Sequence, residues 1–367
     1  MDFKMGKGLY EIYGTDTREM TIRMMDAANV ASGIPSGASV ALKPNLVVAK
    51  PPESGATTHA GVLEGAIQYL QSHGISTISI MEGSWVGDRT ESGFSVCGYD
   101  QIGKNYGVPL YDLKKDRYRK VDSDVGTIHI SERILNTDYL VNLPVLKGHC
   151  QTVMTCALKN LKGCISDADK RRFHALGLHQ PIAVLASIIK PALTIVDSIC
   201  GDLNFEEGGT PVQTNRMLLG FDPVQIDSYG CHLMGISRSE VPYIELAEQY
   251  GAGSIAWDEK HVTPLNTPTA NSEYRVDNRI VVRLTKNVDA RSACSACFGT
   301  LVHALYRLEE EQHISIMNEI FIGQDFKNIP IDGVGIGNCC SRAKHCVPGC
   351  PPAAADTVKL LGDLSKA

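Results

Sequence analysis

Six cysteines stand in the last quarter of this chain: Cys294, Cys297, Cys339, Cys340, Cys346 and Cys350. Cys294-Ser295-Ala296-Cys297 is a C-x-x-C, which supplies two thiols from one turn of chain. The second group follows three spaced glycines, Gly333, Gly335 and Gly337, and ends in Gly349-Cys350-Pro351-Pro352. A cysteine followed by proline recurs where thiolates hold iron–sulfur clusters, and such a cluster takes four thiolates. Proline fixes the chain direction and cannot carry a helix through the ligand loop. The glycines let backbone approach an inorganic sulfide without a Cβ clash. The reading is therefore one [4Fe–4S] cluster on Cys294, Cys297, Cys339 and Cys350. Cys340 and Cys346 are surplus and could replace a chosen ligand, and His345 is a further candidate. Structural zinc also takes four cysteines, usually as two C-x-x-C knuckles. The second half here is not a knuckle, which favours the cluster.

The other six cysteines, Cys97, Cys150, Cys156, Cys164, Cys200 and Cys231, are scattered. Scattered cysteine reads as small core residues. The chain opens without an apolar leader, and no run reaches the roughly 18 apolar residues of a membrane helix. A cytoplasmic location is expected, where disulfides are disfavoured and clustered thiols read as ligands. A net charge of −6 over 367 residues argues against a nucleic-acid surface, and no membrane association is expected.

A second set of polar residues lies where strands should end: Lys43 and Asn45, Glu82, Lys147 and His149, Asp197 and Asp222. In open α/β sheets, ligands bind beyond the carboxyl ends of the strands. The segment 151–162 is expected as one helix, with Thr152, Thr155, Lys159 and Lys162 on one face and Asn160 beside it. That face suits a carboxylate or phosphate. The helix start should point its positive end at the same place. His149, as proton donor or metal ligand, and Lys147, as anion binder, are the expected catalytic residues. Lys43, Asn45, Thr155, Lys159, Asn160, Lys162, His174 and Asp197 are the expected substrate-binding residues.

Strand and helix alternate through the first two thirds. Strands are expected at 38–42, 75–81, 108–112, 138–143, 192–197 and 215–220. Helices are expected at 59–73, 180–190, 223–235 and 240–250. Val62, Leu63, Ala66, Ile67 and Leu70 share one apolar helix face, so 38–81 reads as a β-α-β unit, which implies a parallel sheet. The fold class is α/β: a mostly parallel sheet flanked by helices, with a C-terminal cysteine-rich cluster-binding region. The domain reading is an α/β body over 1–255 and an α+β region over 256–367. The latter should begin with a polar connection at 252–280, then a strand at 280–285.

Several motifs occur in order: Lys43-Pro44-Asn45-Leu46, Thr57-Thr58-His59, Leu143-Pro144-Val145-Leu146-Lys147-Gly148-His149, and Ala157-Leu158-Lys159-Asn160-Leu161-Lys162-Gly163. With Asp197, Asp222 and Asp227, they resemble the family called domain of unknown function 362 over about residues 38–236. Members often carry or accompany iron–sulfur modules, so the resemblance implies a cluster. The tail departs from the common ferredoxin spacing, so a single cluster with split ligands is implied.

The function these readings suggest is an iron–sulfur redox protein or oxidoreductase component. It would pass electrons to an anionic small molecule or to the cofactor of a redox partner protein. A metal-assisted lyase or hydratase, and a non-enzymatic maturation factor with a structural cluster or zinc, are the alternatives.

Overall fold

The computed structural model describes residues 8–202, 206–208, 211–268, 279–311 and 313–366. They form two compact units. The first takes in most of the chain to Val276. The second comprises Cys150–Val153, Arg171–Leu178 and Asp277–Ala367.

The first unit is built on a mixed sheet in the order Val262–Pro264, Leu9–Tyr13, Pro211–Gly220, Leu193–Asp202, Tyr139–Leu143, Val40–Pro44, Ile78–Glu82, Leu110–Asp112. From Leu193–Asp202 to Leu110–Asp112 every pairing is parallel. Pro211–Gly220 runs antiparallel to both of its neighbours. The two central strands, Val40–Pro44 and Tyr139–Leu143, are buried at every position. That is the mark of parallel strands covered on both faces. The helix Ala60–Ser72 buries Val62, Leu63, Ala66, Ile67 and Leu70, the face its spacing predicts. Helices His179–Ile188, Pro223–Leu233 and Tyr243–Gln249 also stand where expected.

Two expectations fail. The segment 151–162 is not one helix. Val153–Thr155 is a strand paired with Lys147–His149, followed by a short helix Ala157–Asn160 and a 3-10 turn Leu161–Cys164. The cause lies elsewhere in the chain. The buried carboxyl of Asp227 accepts the backbone N–H groups of Ala157 at 2.7 Å and Leu158 at 3.2 Å. This sets the helix start at 157, as a capping side chain does. Thr152 and Thr155 therefore do not share a helix face with Lys159 and Lys162. The helix is also too short, and its first N–H groups too fully used, to aim a positive end at Lys147 and His149.

The second failure is the strand expected at 280–285, which is a helix, Arg279–Leu284. Its β-branched run invited the strand reading. Burial follows the helix instead, with Leu284 at 6% and Val282 at 69% exposure. The strand comes later, at Val288–Ala290. Within the expected 252–280 connection, Val262–Pro264 pairs in parallel with Leu9–Tyr13, while 269–278 lies outside the described residues.

The second unit has a parallel sheet of four strands: Val288–Ala290, Ile320–Ile322, Ile331–Ile336 and Ala343–Val347. The helix Ser295–Tyr306 packs on the last helix, Ala354–Leu364. Leu301, Ala304, Leu305 and Leu308, the expected apolar stripe, are buried. Among the described residues no helix is long and apolar enough to cross a membrane.

Candidate functional site

The carboxyl ends of the parallel strands in the first unit carry a buried polar network. Lys43 ends one strand and Glu82 the next, and their side chains meet at 2.5 Å, Nζ to Oε2. Burial raises the Glu82 carboxyl despite Lys43. Gly163 closes over this pair. A Cβ there would fall 2.0 Å from Glu82 Oε1 and 2.8 Å from Lys43 Nζ. Lys170 reaches the same region, donating to the carbonyls of Gly83 at 3.0 Å and Ser84 at 2.8 Å and pairing with Asp167.

Three amides link the strand ends. Asn45 Nδ2 donates to Asn160 Oδ1 at 2.9 Å, and Asn160 Nδ2 donates to Asn142 Oδ1 at 2.8 Å. Asn142 Nδ2 then donates to the carbonyl of Ala157 at 2.9 Å. At the other end, Asn45 Oδ1 accepts from Lys147 Nζ at 2.8 Å. Lys147 also donates to the carbonyls of Ala56 at 2.6 Å and Glu206 at 2.8 Å. Such a chain of paired, buried polar groups holds each member in one orientation.

Beyond Lys147 lies a charged corner. Lys159 Nζ bonds Glu206 Oε2, and His149 Nε2 stands 3.4 Å from Glu206 Oε1. Burial opposes ionisation of Glu206, but Lys159 and His149 outweigh it and hold the carboxyl well below its usual range. Burial, with Lys159 beside it, lowers the His149 imidazole. Burial pulls Lys147 down to about 8 and, with Lys159 adjacent, Lys162 down to about 7. Thr155 Oγ1 is buried with no hydrogen-bond partner among the described residues.

Asp197 is fully buried and committed to His59. Its Oδ2 accepts the His59 backbone N–H at 2.7 Å and lies 2.8 Å from His59 Nδ1. Burial disfavours the charged imidazole, but Asp197 prevails and His59 is raised. A carboxylate on Nδ1 fixes the ring and leaves Nε2 as the outward nitrogen.

The structure thus brings Lys43, Asn45, Lys147, His149, Lys159, Asn160 and Lys162 together in the first unit. His174 belongs to the second unit. Sequence reasoning missed Asn142, Lys170, Glu206 and Asp227 as parts of the network, and His59 as the partner of Asp197. For Asn142 the signal was available: an amide inside an otherwise apolar strand demands partners. Glu206 carries no such mark, because its role depends on where its loop lies.

The second unit holds the late cysteines. Cys294 caps the helix Ser295–Tyr306 and Cys297 lies in its first turn. Cys339 sits in the turn Asn338–Cys340, and Cys350 precedes the last helix. Two backbone bonds tie these loops together: Gly337 N to Val347 O at 2.8 Å and Asn338 N to Gly349 O at 2.9 Å. Burial pushes the Cys297 thiol up to about 12, and Cys294, Cys350, Cys339 and Cys340 act on it in that order. Gly337 has φ +85°, and a Cβ there would lie 3.6 Å from Cys297 Sγ. Gln324 Nε2 lies 3.6 Å from Cys294 Sγ. Cys340 is fully buried against Phe326 and Ile331, while Cys346 Sγ contacts Gly337 O at 3.9 Å. Among the described residues no three His, Cys, Asp or Glu side chains are gathered so as to hold a metal ion. The donor set is nonetheless chemically uniform: the acidic groups acting on Cys297 are all thiols, soft ligands that suit iron–sulfur clusters or zinc.

The fold defines an α/β protein with polar groups at the carboxyl edge of a mostly parallel sheet. Residues 40–232 match the family described as Domain of unknown function (DUF362), and the chain belongs to that family. It is 25% identical over 254 residues to the thylakoid-associated protein sll1697 of Synechocystis sp., covering 66% of this chain and 75% of that protein. Among solved structures, the lactate racemase apoprotein from Thermoanaerobacterium thermosaccharolyticum is similar at 13% identity and a TM-score of 0.40. That match covers 66% of this chain and spans 60% of the other.

Proposed function

We propose that this protein is an iron–sulfur redox protein or oxidoreductase component, with one [4Fe–4S] cluster on Cys294, Cys297, Cys339 and Cys350. The observation that carries this reading is the joining of the Cys339 and Cys350 loops by the backbone bonds from Gly337 and Asn338, with Gly337 lying beside Cys297. Bound there, the cluster supplies one-electron transfer. The chain's own part is to bring two loops to one place, through the bonds from Gly337 and Asn338 to Val347 and Gly349. Gly337 leaves room beside Cys297 that any side chain would fill.

The electron acceptor or donor is an anionic small molecule, or a partner's cofactor, held by the network of the first unit. Lys147 and Lys159 provide positive charge, Asn45 and Asn160 fix Lys147, and His149 holds or gives up a proton at Nε2. Anaerobic purification with iron, sulfide and zinc analysis, and spectra before and after dithionite, tests the reading. Its expected result is about four irons and four sulfides per chain with absorbance bleached on reduction. Zinc without sulfide would overturn it and make the cysteine region a structural knuckle.

A further inference from the structure

Glu206 places its carboxylate between Lys159 and His149. We propose that the corner formed by Lys159 and His149 is the subsite for the carboxylate of a small organic acid, and that Glu206 fills it until such a ligand displaces it. This deepens, and rests on, the reading of the network as an anion site.

The corner is already sized for a planar, two-oxygen anion. One oxygen of Glu206 bonds Lys159 Nζ, and the other faces His149 Nε2 at 3.4 Å. The receptors are anchored on regular structure: His149 on the strand Lys147–His149 and Lys159 on the helix Ala157–Asn160. The carboxylate that fills the corner comes instead from a residue between the strands Leu193–Asp202 and Pro211–Gly220. It is also the most open member. The Glu206 side chain is 14% exposed, against 3% for His149 and 4% for Lys159. A ligand arriving from water meets Glu206 first.

The backbone and side chain of Glu206 are held by different lysines. Lys147 Nζ takes the Glu206 carbonyl at 2.8 Å, and Lys50 Nζ takes the Glu207 carbonyl at 2.8 Å. The Glu206 side chain can therefore leave the corner by rotating about its own bonds while the backbone stays tied. The strand beside His149 carries one further buried polar group. Thr155, on the strand paired with Lys147–His149, has a buried hydroxyl with no hydrogen-bond partner among the described residues. Buried hydroxyls are rarely left so unless something else pairs with them.

An internal occupant lowers apparent affinity by the fraction of molecules in which it has moved aside. Titration calorimetry with malonate as the probe, and inorganic phosphate beside it, reads this directly. Glu206→Ala should bind malonate at least tenfold more tightly than the unsubstituted chain. The near-isosteric Glu206→Gln should show a smaller gain, and adding Lys159→Ala to Glu206→Ala should abolish binding. Malonate binding no tighter in either Glu206 variant, with binding still lost in Lys159→Ala, would overturn the placeholder role and leave the anion site standing. Tighter phosphate but unchanged malonate would overturn the assignment to carboxylates. Absence of binding by either anion to the unsubstituted chain and to both Glu206 variants would overturn the anion-site reading itself.

Discussion

Lys43 and Glu82 end neighbouring parallel strands and meet side chain to side chain at 2.5 Å, with exposures of 0% and 4%. Two charges so placed are held by each other. Removing one partner of a buried pair costs about 3–5 kcal/mol, whereas replacing both with apolar groups of similar volume is often neutral. Lys43→Met alone should therefore lower stability by about that amount, and Lys43→Met with Glu82→Leu should recover most of the loss. Urea unfolding of the two variants checks this. A double variant as unstable as the single one would contradict it.

Asp227 gives a pH signature. Burial raises its carboxyl from 3.8 to about 7, even though it accepts the N–H groups of Ala157 and Leu158. The folded protein thus keeps a proton that the unfolded chain has lost. That contribution to stability is full below 3.8 and disappears as pH rises through about 7. Stability should fall with rising pH across this window, and Asp227→Asn should flatten the slope. Unfolding midpoints at several pH values would show it.

Iron content separates ligands from bystanders. Serine at Cys294, Cys297, Cys339 or Cys350 should each reduce bound iron several-fold. Serine at Cys346 should leave it unchanged. Alanine at Cys340, a fully buried residue, should lower stability while sparing iron. Gly337→Ala should lose iron as well, because its φ of +85° is one a side chain rarely adopts and the loop must shift to relieve it. Iron retained in Cys339→Ser but lost in Cys346→Ser would exchange those two roles.

Anion binding should take up protons. An anion favours the charged form of a lysine, and Lys162 and Lys147 are held down to about 7 and about 8. Affinity for malonate should be highest below pH 7 and decline as pH rises through 7 to 8. Calorimetry in two buffers of different ionisation enthalpy would count the protons. Lys162→Met should shift the decline upward, towards the Lys147 value.

The parallel sheet was legible because its strands are short, apolar and separated by helices of clear periodicity. The family motifs gave Lys43, Asn45, Lys147, Lys159 and Asn160 together, and these do converge. What was not legible depended on distant partners. The segment 151–162 has helical composition, yet Asp227, some 70 residues away, fixes where its helix starts. Glu206 was invisible because its neighbours along the chain say nothing about the lysines it meets. The run Ile280-Val281-Val282 read as a strand because β-branching is a local signal and helix burial is not.

The partners of Lys147 are an amide oxygen and two carbonyl oxygens, and Lys170 rests on two carbonyls before it meets Asp167. Neutral dipoles take the place of water around these ammonium groups without cancelling their charge. Of these lysines Lys147 alone meets no carboxylate among its hydrogen-bond partners in the described residues, while Lys43, Lys159 and Lys170 pair with Glu82, Glu206 and Asp167 in a molecule of net charge −6. An anion held beside Lys147 should therefore be captured faster at low salt, and the rate should fall as ionic strength rises.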